Sequence, residues 1–317
     1  MRLIPTSLQI AVRPRLACEI APEAVFAAQS DGQESPLQAA FCVPLQQDAL
    51  APGWKSPVLS ARDAIRAALE RALEGIVGRS KQLTLIVPDA CVRVLVLDFD
   101  ALPNKPQEAQ PLIRFRLRKM LPFDAETAAV SYQVLKTNRE VEKVGSLRVM
   151  VAATSAEVRA EFEVLIREAG FEPGVLLPST LAALAAVPET GAHLVVHTGQ
   201  RSVTTAISQS GDLLLYRTVE RAAQPAGGDN TDGFEDDLVQ AILVATAFYE
   251  DSLGSVPEQI WVAGHDTPED LQARMSVDGV WQIPMRSLVQ TEHFLAEART
   301  AGIPACRFAG VVGALHG

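Results

Sequence analysis

The 317-residue sequence predicts a mixed α/β protein, long enough for about two domains with cores of their own. Three observations carry that reading. The order strand, strand, strand, helix, strand occurs twice, across residues 16–87 and 193–263, with no sequence identity between the copies. A different order, strand, helix, strand, strand, lies between them at 92–153. Hydrophobic residues make up 48% and charged residues 21%, with aromatics at 5%, so the chain is globular with an aliphatic core.

The first copy opens with short strands at Leu16–Ile20 and Ala24–Ala28, turned at Pro22, and a third at Ala39–Val43. Ser60 is an expected N-cap for a helix in which Ile65, Leu69, Leu73 and Val77 recur at helical spacing, ended by Gly78. Leu83–Val87 is a short apolar strand stopped by Pro88. In the second copy a meander of His193–His197, Ser202–Ser208 and Leu213–Thr218 turns at Gly199 and Gly211. A helix over Phe234–Leu253 and a strand at Gln259–Ala263 complete it. Residues 225–233 (PAGGDNTDG) have the least structured composition in the chain.

Between the copies, Val92–Phe99 reads as a strand, Pro106–Leu121 as a helix, and Val130–Lys136 and Leu147–Ala153 as two strands; Ser155 caps a helix that ends at Gly170. Asn138–Gly145 is a polar hairpin loop. Pro122 disfavours helical geometry at Leu121, so the helix must stop near there. Alternation then puts Val130, Tyr132 and Val134 on one strand face, Ser131 and Gln133 on the other. Arg114, Arg116, Arg118 and Lys119 form a basic cluster on that helix, with Leu112, Phe115 and Met120 expected to point to the core. The cluster is either a solvated helix face or a contact for anionic lipid or an acidic partner segment.

A formal net charge of −10 argues against nonspecific nucleic-acid binding. Cys18, Cys42, Cys91 and Cys306 are scattered in apolar runs without CxxC spacing, the pattern of reduced, buried thiols in a cytoplasmic protein. No signal peptide is visible in Met1–Val12, and no apolar run reaches the roughly 18 residues of a membrane span. Nucleophile elbow, Walker loop, HExxH and zinc spacings are absent, and the acids Asp229, Asp232, Glu235, Asp236 and Asp237 lack calcium-loop spacing.

Four stretches carry a family resemblance: LTLIVPDACVRVLVLDFDALP, RFRLRKMLPFDAETAAVSYQVL, LRVMVAATSAEVRAEFEVLIREAGFEPGVLLPSTLAAL and FAGVVGALHG. With the duplicated meander they resemble the PilM family, the cytoplasmic actin-like proteins of type IV pilus assembly. The likeness extends, more distantly, to the cytoplasmic part of the type II secretion protein GspL and to the division protein FtsA. The resemblance implies an actin-like, RNase H-like fold of two lobes. One lobe would take residues 1–90 and 154–187, with a helix at 305–317 packing back on it; the other would take 188–304. An SHS2-like subdomain would be inserted at 91–153.

Proteins of this fold usually hold ATP between the lobes, with two Asp-x-Gly hairpins around the phosphates and their Mg²⁺. Here the first hairpin reads Glu19-Ile20-Ala21-Pro22-Glu23 and the second His197-Thr198-Gly199-Gln200-Arg201-Ser202. The adenosine loop shrinks to Ala263-Gly264-His265-Asp266. Against the family pattern, glycine and an amide are lost from the first, the acid from the second, and a neutral imidazole suits Mg²⁺ poorly. Glu19, Gly199, Ser202, Thr204 and Gly264 are the candidate remnants of a nucleotide site, each with an ordinary structural reading beside it. No cofactor is expected, ATP with Mg²⁺ being the disfavoured option.

The resemblance then implies a noncatalytic scaffold at the cytoplasmic face of the inner membrane. Its partners would be the tail of a PilN-like membrane protein and a pilus motor ATPase or platform proteins, and it would meet the membrane peripherally. The alternatives are an ATP-binding protein with reassigned ligand residues and an FtsA-like filament former. Against the latter, no membrane-targeting helix follows the last expected helix before Gly317.

Overall fold

The computed structural model describes residues 14–32, 35–76, 81–135, 147–220, 231–276, 281–298 and 302–316. Strands β1 (Leu16–Ile20), β2 (Ala24–Gln29) and β3 (Ala39–Pro44) form an antiparallel meander. Helix α1 (Arg62–Glu74) returns the chain to the far side of β1, where β4 (Gln82–Val87) pairs parallel with it. Next come β5 (Arg93–Phe99), α2 (Pro106–Leu117), β6 (Ala129–Val134), β7 (Leu147–Thr154), α3 (Ala156–Glu168), β8 (Glu172–Pro178) and α4 (Ser179–Ala183). The first pattern is then repeated by β9 (Ala192–Thr198), β10 (Ser202–Gln209), β11 (Asp212–Glu220), α5 (Thr231–Leu253) and β12 (Ile260–Gly264). Helix α6 (Pro268–Met275), β13 (Met285–Ser287) and α7 (Ala309–His316) end the described chain.

The two copies build two five-stranded sheets of equivalent order, β3-β2-β1-β4-β8 and β11-β10-β9-β12-β13, while β5-β7-β6 form a separate three-stranded sheet. Around the first sheet, α1 buries Ile65, Leu69 and Leu73 at the spacing read from the sequence. Helix α7 is buried through seven consecutive residues, Ala309 to Leu315, and packs on β1 and α4. That core continues into the second sheet through Val195, Ala206, Ala263 and Leu288. The other face of the second sheet packs on α5, through Leu238, Ile242 and Tyr249.

Several elements depart from the sequence expectation. Ser60 does not cap α1: Ala61, which has no side-chain acceptor, holds the N-cap, and its amide donates to the Ala49 carbonyl at 2.9 Å. Gly75 ends the helix, and the expected Val77–Gly78 stop lies outside the described residues. Helix α2 stops at Leu117, a turn before Leu121, where Met120 and Leu121 donate to the Leu117 carbonyl. Ser155 does cap α3, accepting from the Val158 amide at 3.2 Å, and Gly170 takes φ +83° after it. Of residues 225–233, Thr231–Gly233 begin α5 and the rest lie outside the description, as does Asn138–Gly145. Cys42 is half-buried, the other three cysteines buried, and all four are free.

The small sheet is covered on both faces. Leu97, Val149 and Val151 pack under Ile113 and Leu117 of α2, with Val130 and Tyr132 beside them. The opposite face presses Val94 and Met150 into the main core. That second contact buries Gln133, which alternation had assigned to a polar face, while Val134 is left exposed. The α2 expectation fails more clearly. Ala109, Ile113 and Leu117 pack inward, and Leu112, Phe115 and Met120 face outward at 47%, 70% and 45% exposure.

Candidate functional site

A cavity of about 610 Å³ lies between the two five-stranded sheets, lined on one side by Glu19, Pro22 and Asp89 and on the other by His197, Gly199, Ser202 and Gly264. The β1–β2 and β9–β10 hairpins face it because each sheet carries its first turn at the same end. Glu19, Gly199, Ser202 and Gly264 therefore meet as the sequence suggests. Thr204 does not line the cavity; its hydroxyl donates to Asp89, which does, at 3.1 Å.

Glu19 sits at the end of β1, 4% exposed. Ser179 at the start of α4 donates to its Oε1 at 2.6 Å, while Oε2 is buried without a hydrogen-bond partner. Burial pushes its carboxyl up to about 8, the Ser179 bond pulls it down, and the Glu23 and Asp89 charges raise it further. A group held in that way spends most of its time neutral at pH 7. The backbone crowds it too, since a Cβ on Gly310 of α7 would collide with Oε2.

The hairpin tips are largely self-satisfied. Ala21 donates to the Ala24 carbonyl at 3.0 Å, and Pro22 has no amide to offer. Gly199 donates to Ser202 at 2.8 Å. Gly264 takes φ +91°, and a Cβ there would strike the Thr198 carbonyl, so glycine is required. The next two amides are used as well, His265 donating to Thr198 O at 2.7 Å and Asp266 to Thr198 Oγ1 at 2.8 Å.

Sequence reasoning gave no role to Asp89, yet it is the hub of the site. It follows Pro88 in a 3-10 turn after β4 and is 4% exposed. Its carboxylate accepts from the Thr180 amide at 3.0 Å, Thr180 Oγ1 at 2.5 Å, Thr204 Oγ1 at 3.1 Å and the Tyr216 hydroxyl at 2.6 Å. His197 Nδ1 lies 3.8 Å away, its basicity lowered by burial and partly restored by Asp89 and Glu23. Two of the four donated bonds come from the second sheet, so Asp89 fastens one sheet to the other. A polar residue after an apolar strand was its one local signal.

Two further contacts cross the cleft. Glu23 lies 3.5 Å from His265 Nδ1, and this interaction raises the imidazole's basicity. At the mouth, Arg93 of β5 pairs with Glu220 of β11 at 3.2 Å and stacks over Trp54 at 4.5 Å. Lys55, Arg201 and Arg307 supply positive charge around the cavity. Among the described residues no group of three His, Cys, Asp or Glu side chains could hold a metal ion. Nor is any described helix long and apolar enough to cross a membrane.

The basic cluster divides. Arg114 donates through Nη1 to the carbonyls of Ala125, Glu126 and Ala128, the latter two at 3.1 and 2.9 Å. Arg118 pairs with Glu126 at 2.7 Å. These two brace the 124–128 turn, whereas Arg116 and Lys119 are exposed.

Two like-ordered sheets facing one cleft, with a hairpin of each at the cavity, define an actin-like α/β fold. The particular architecture is PilM-like. A solved PilM–PilN type IV pilus biogenesis complex contains a chain that matches 95% of this one and 98% of itself, with TM-score 0.70 and 19% identity. The cytoplasmic domain of EpsL, an inner membrane component of the Vibrio cholerae type II secretion system, matches at TM-score 0.48 and 12% identity, covering 95% of this chain and 92% of that one. A Bacteroides thetaiotaomicron protein of unknown function with an actin-like ATPase fold matches at TM-score 0.48 and 10% identity, covering 85% and 89%. No family model and no curated protein matches the sequence.

Proposed function

We propose that the chain is a noncatalytic actin-like scaffold of a type IV pilus or related secretion platform, which holds the cytoplasmic tail of a PilN-like inner-membrane protein. The observation that supports this most is the agreement of fold with the PilM–PilN structure across nearly the whole of both chains. On this reading the lobes are 1–90 with 154–187 and 188–304, the insert is 91–153, and the protein works at the cytoplasmic face of the inner membrane. A motor ATPase or other platform proteins would be further partners. An extended tail held by backbone pairing and a few side-chain pockets suits such a scaffold.

The noncatalytic part rests on the cleft. A magnesium triphosphate needs an ionised acid and free amides, and the residues present fit it poorly. Glu19 is neutral for most of its time and bonded to Ser179, and the tip amides of Ala21, Gly199, His265 and Asp266 are already spent. Lys55, Arg201 and Arg307 favour a second reading, in which the cavity takes an anionic ligand through reassigned residues.

Calorimetry separates the readings. A synthetic peptide of the first residues of a PilN-like protein encoded beside this chain should bind saturably, with one site per chain. ATP should give no heat that depends on Mg²⁺. Absence of peptide binding would end the scaffold proposal, and saturable, magnesium-dependent ATP binding would end the noncatalytic one.

A further inference from the structure

The outward face of α2 combines exposed apolar side chains with exposed cations. Leu112 and Phe115 stand on it at 47% and 70% exposure, and Met120 follows in the next turn at 45%. Large apolar side chains gathered on one exposed face mark a surface that something covers. Arg116 and Lys119 stand among them, both exposed and neither paired with a described residue. Residues 105–119 hold five cations, Lys105, Arg114, Arg116, Arg118 and Lys119, against the single acid Glu108, in a chain of net charge −10.

The neighbouring acids are already committed. Glu108 lies 3.4 Å from Lys105, and Glu126 is taken by Arg118. Asp124 accepts from the Glu126 amide at 3.0 Å in its own turn. The Arg118 guanidinium also lies 5.7 Å from the Phe115 ring centroid, which keeps positive charge beside the most exposed apolar side chain of the face.

We propose that this face of α2 docks on an anionic lipid surface, with Phe115, Leu112 and Met120 entering the headgroup boundary and Arg116 and Lys119 meeting the headgroup charges. Shape selects that occupant over an acidic peptide. Apolar tips and cations standing out from one exposed helix face suit a soft interface, whereas a bound peptide needs a groove or a strand edge. Long basic side chains reach headgroups while their stems stay beside the apolar tips. The acidic remainder of the chain is repelled by the same surface, so contact is confined to one orientation. A single short helix of this kind gives weak, reversible binding.

Co-sedimentation with vesicles tests the proposal. The full chain should bind vesicles of phosphatidylcholine mixed with phosphatidylglycerol, bind phosphatidylcholine alone far less, and lose binding as salt rises. Phe115→Ser and the pair Arg116→Glu with Lys119→Glu should each weaken binding about tenfold or more. Arg114 and Arg118 stay intact because they brace the 124–128 turn. Circular dichroism should be unchanged for both variants, since the altered side chains are exposed; if Phe115→Ser unfolds, the charge-reversed pair decides alone. Equal binding to both vesicle types, no binding, or variants that bind like the parent would overturn the proposal. So would capture of a polyglutamate peptide through Arg116 and Lys119 without vesicle binding. The assay needs no protein partner, so its failure is distinct from failure of the tail-peptide titration.

Discussion

Glu19 and Asp89 line the same side of the cavity: Glu19 sits on β1 opposite Ile86 of the parallel strand β4, and Asp89 lies in the turn that follows β4. Each is 4% exposed, yet their surroundings differ. Asp89 accepts four hydrogen bonds, from Thr180 of α4 and from Thr204 and Tyr216 of the second sheet. Glu19 accepts one and keeps a bare oxygen against α7. Equal burial therefore does not give equal chemistry. What separates the two is how many donors converge on each carboxyl group. In this cleft Glu19 is bonded to Ser179 alone, and Asp89 bonds Thr180 together with Thr204 and Tyr216 of the second sheet.

The sharpest way to break that contrast is to remove the fastener. Asp89→Ala strands the Thr180 amide and hydroxyl, the Thr204 hydroxyl and the Tyr216 hydroxyl in a buried space. Loss of a buried, fully bonded carboxylate costs about 3–5 kcal/mol. Urea denaturation should show that loss, and hydrogen exchange should rise at β10 and β11, where the second sheet loses its tie to Asp89. A loss below about 1 kcal/mol would deny Asp89 its role.

Glu19 should respond in the opposite direction, and pH exposes it. Its folded pKa, about 8, lies above the ordinary 4.5. Between those values the unfolded chain gives up the proton while the folded chain keeps it, so the folded state binds more protons and stability falls as pH rises. The contribution is fully present below about 4.5 and gone above about 8. Glu19→Gln keeps a donor and an acceptor without the charge. It should match the parent near pH 5 and exceed it by about 2–4 kcal/mol near pH 9, read from denaturation curves at both values. A variant less stable than the parent at pH 9 would show that the carboxylate is needed there.

Why one of these acids was legible and the other was not follows from where their partners lie. Glu19, Gly199, Ser202 and Gly264 could be picked out because the family resemblance sets short stretches of this chain against phosphate hairpins and an adenosine loop, and the duplicated order of strands brings those stretches to one cavity. Asp89 depends on Thr180, Thr204 and Tyr216, which lie 91 to 127 positions further along, and no local spacing encodes that. The same limit explains β8, whose Pro173, Gly174 and Pro178 obscure a strand that exists because β4 offers it an edge. In α2, Leu112 with Phe115 and Ile113 with Leu117 are both apolar at helical spacing. Periodicity could not choose between the faces; Arg114, anchored on the 125–128 carbonyls, goes with the second.

The smallest expected effect tests whether Glu19 is a packing group at all. Gly310 lies in the buried helix α7, and a Cβ there would collide with Glu19 Oε2. Alanine should favour the helix by about 0.5–1 kcal/mol over glycine, but forcing a methyl into this contact costs about 1–3 kcal/mol. Gly310→Ala should therefore lower stability by about 1–2 kcal/mol in the parent. In a Glu19→Ala background the obstacle is gone, and the same change should become neutral or mildly stabilising. The two substitutions in a double-mutant cycle should thus couple by about 1–3 kcal/mol. Additive effects would place the Glu19 carboxyl away from α7, open towards the cavity, and would return it to the list of acids able to meet a ligand.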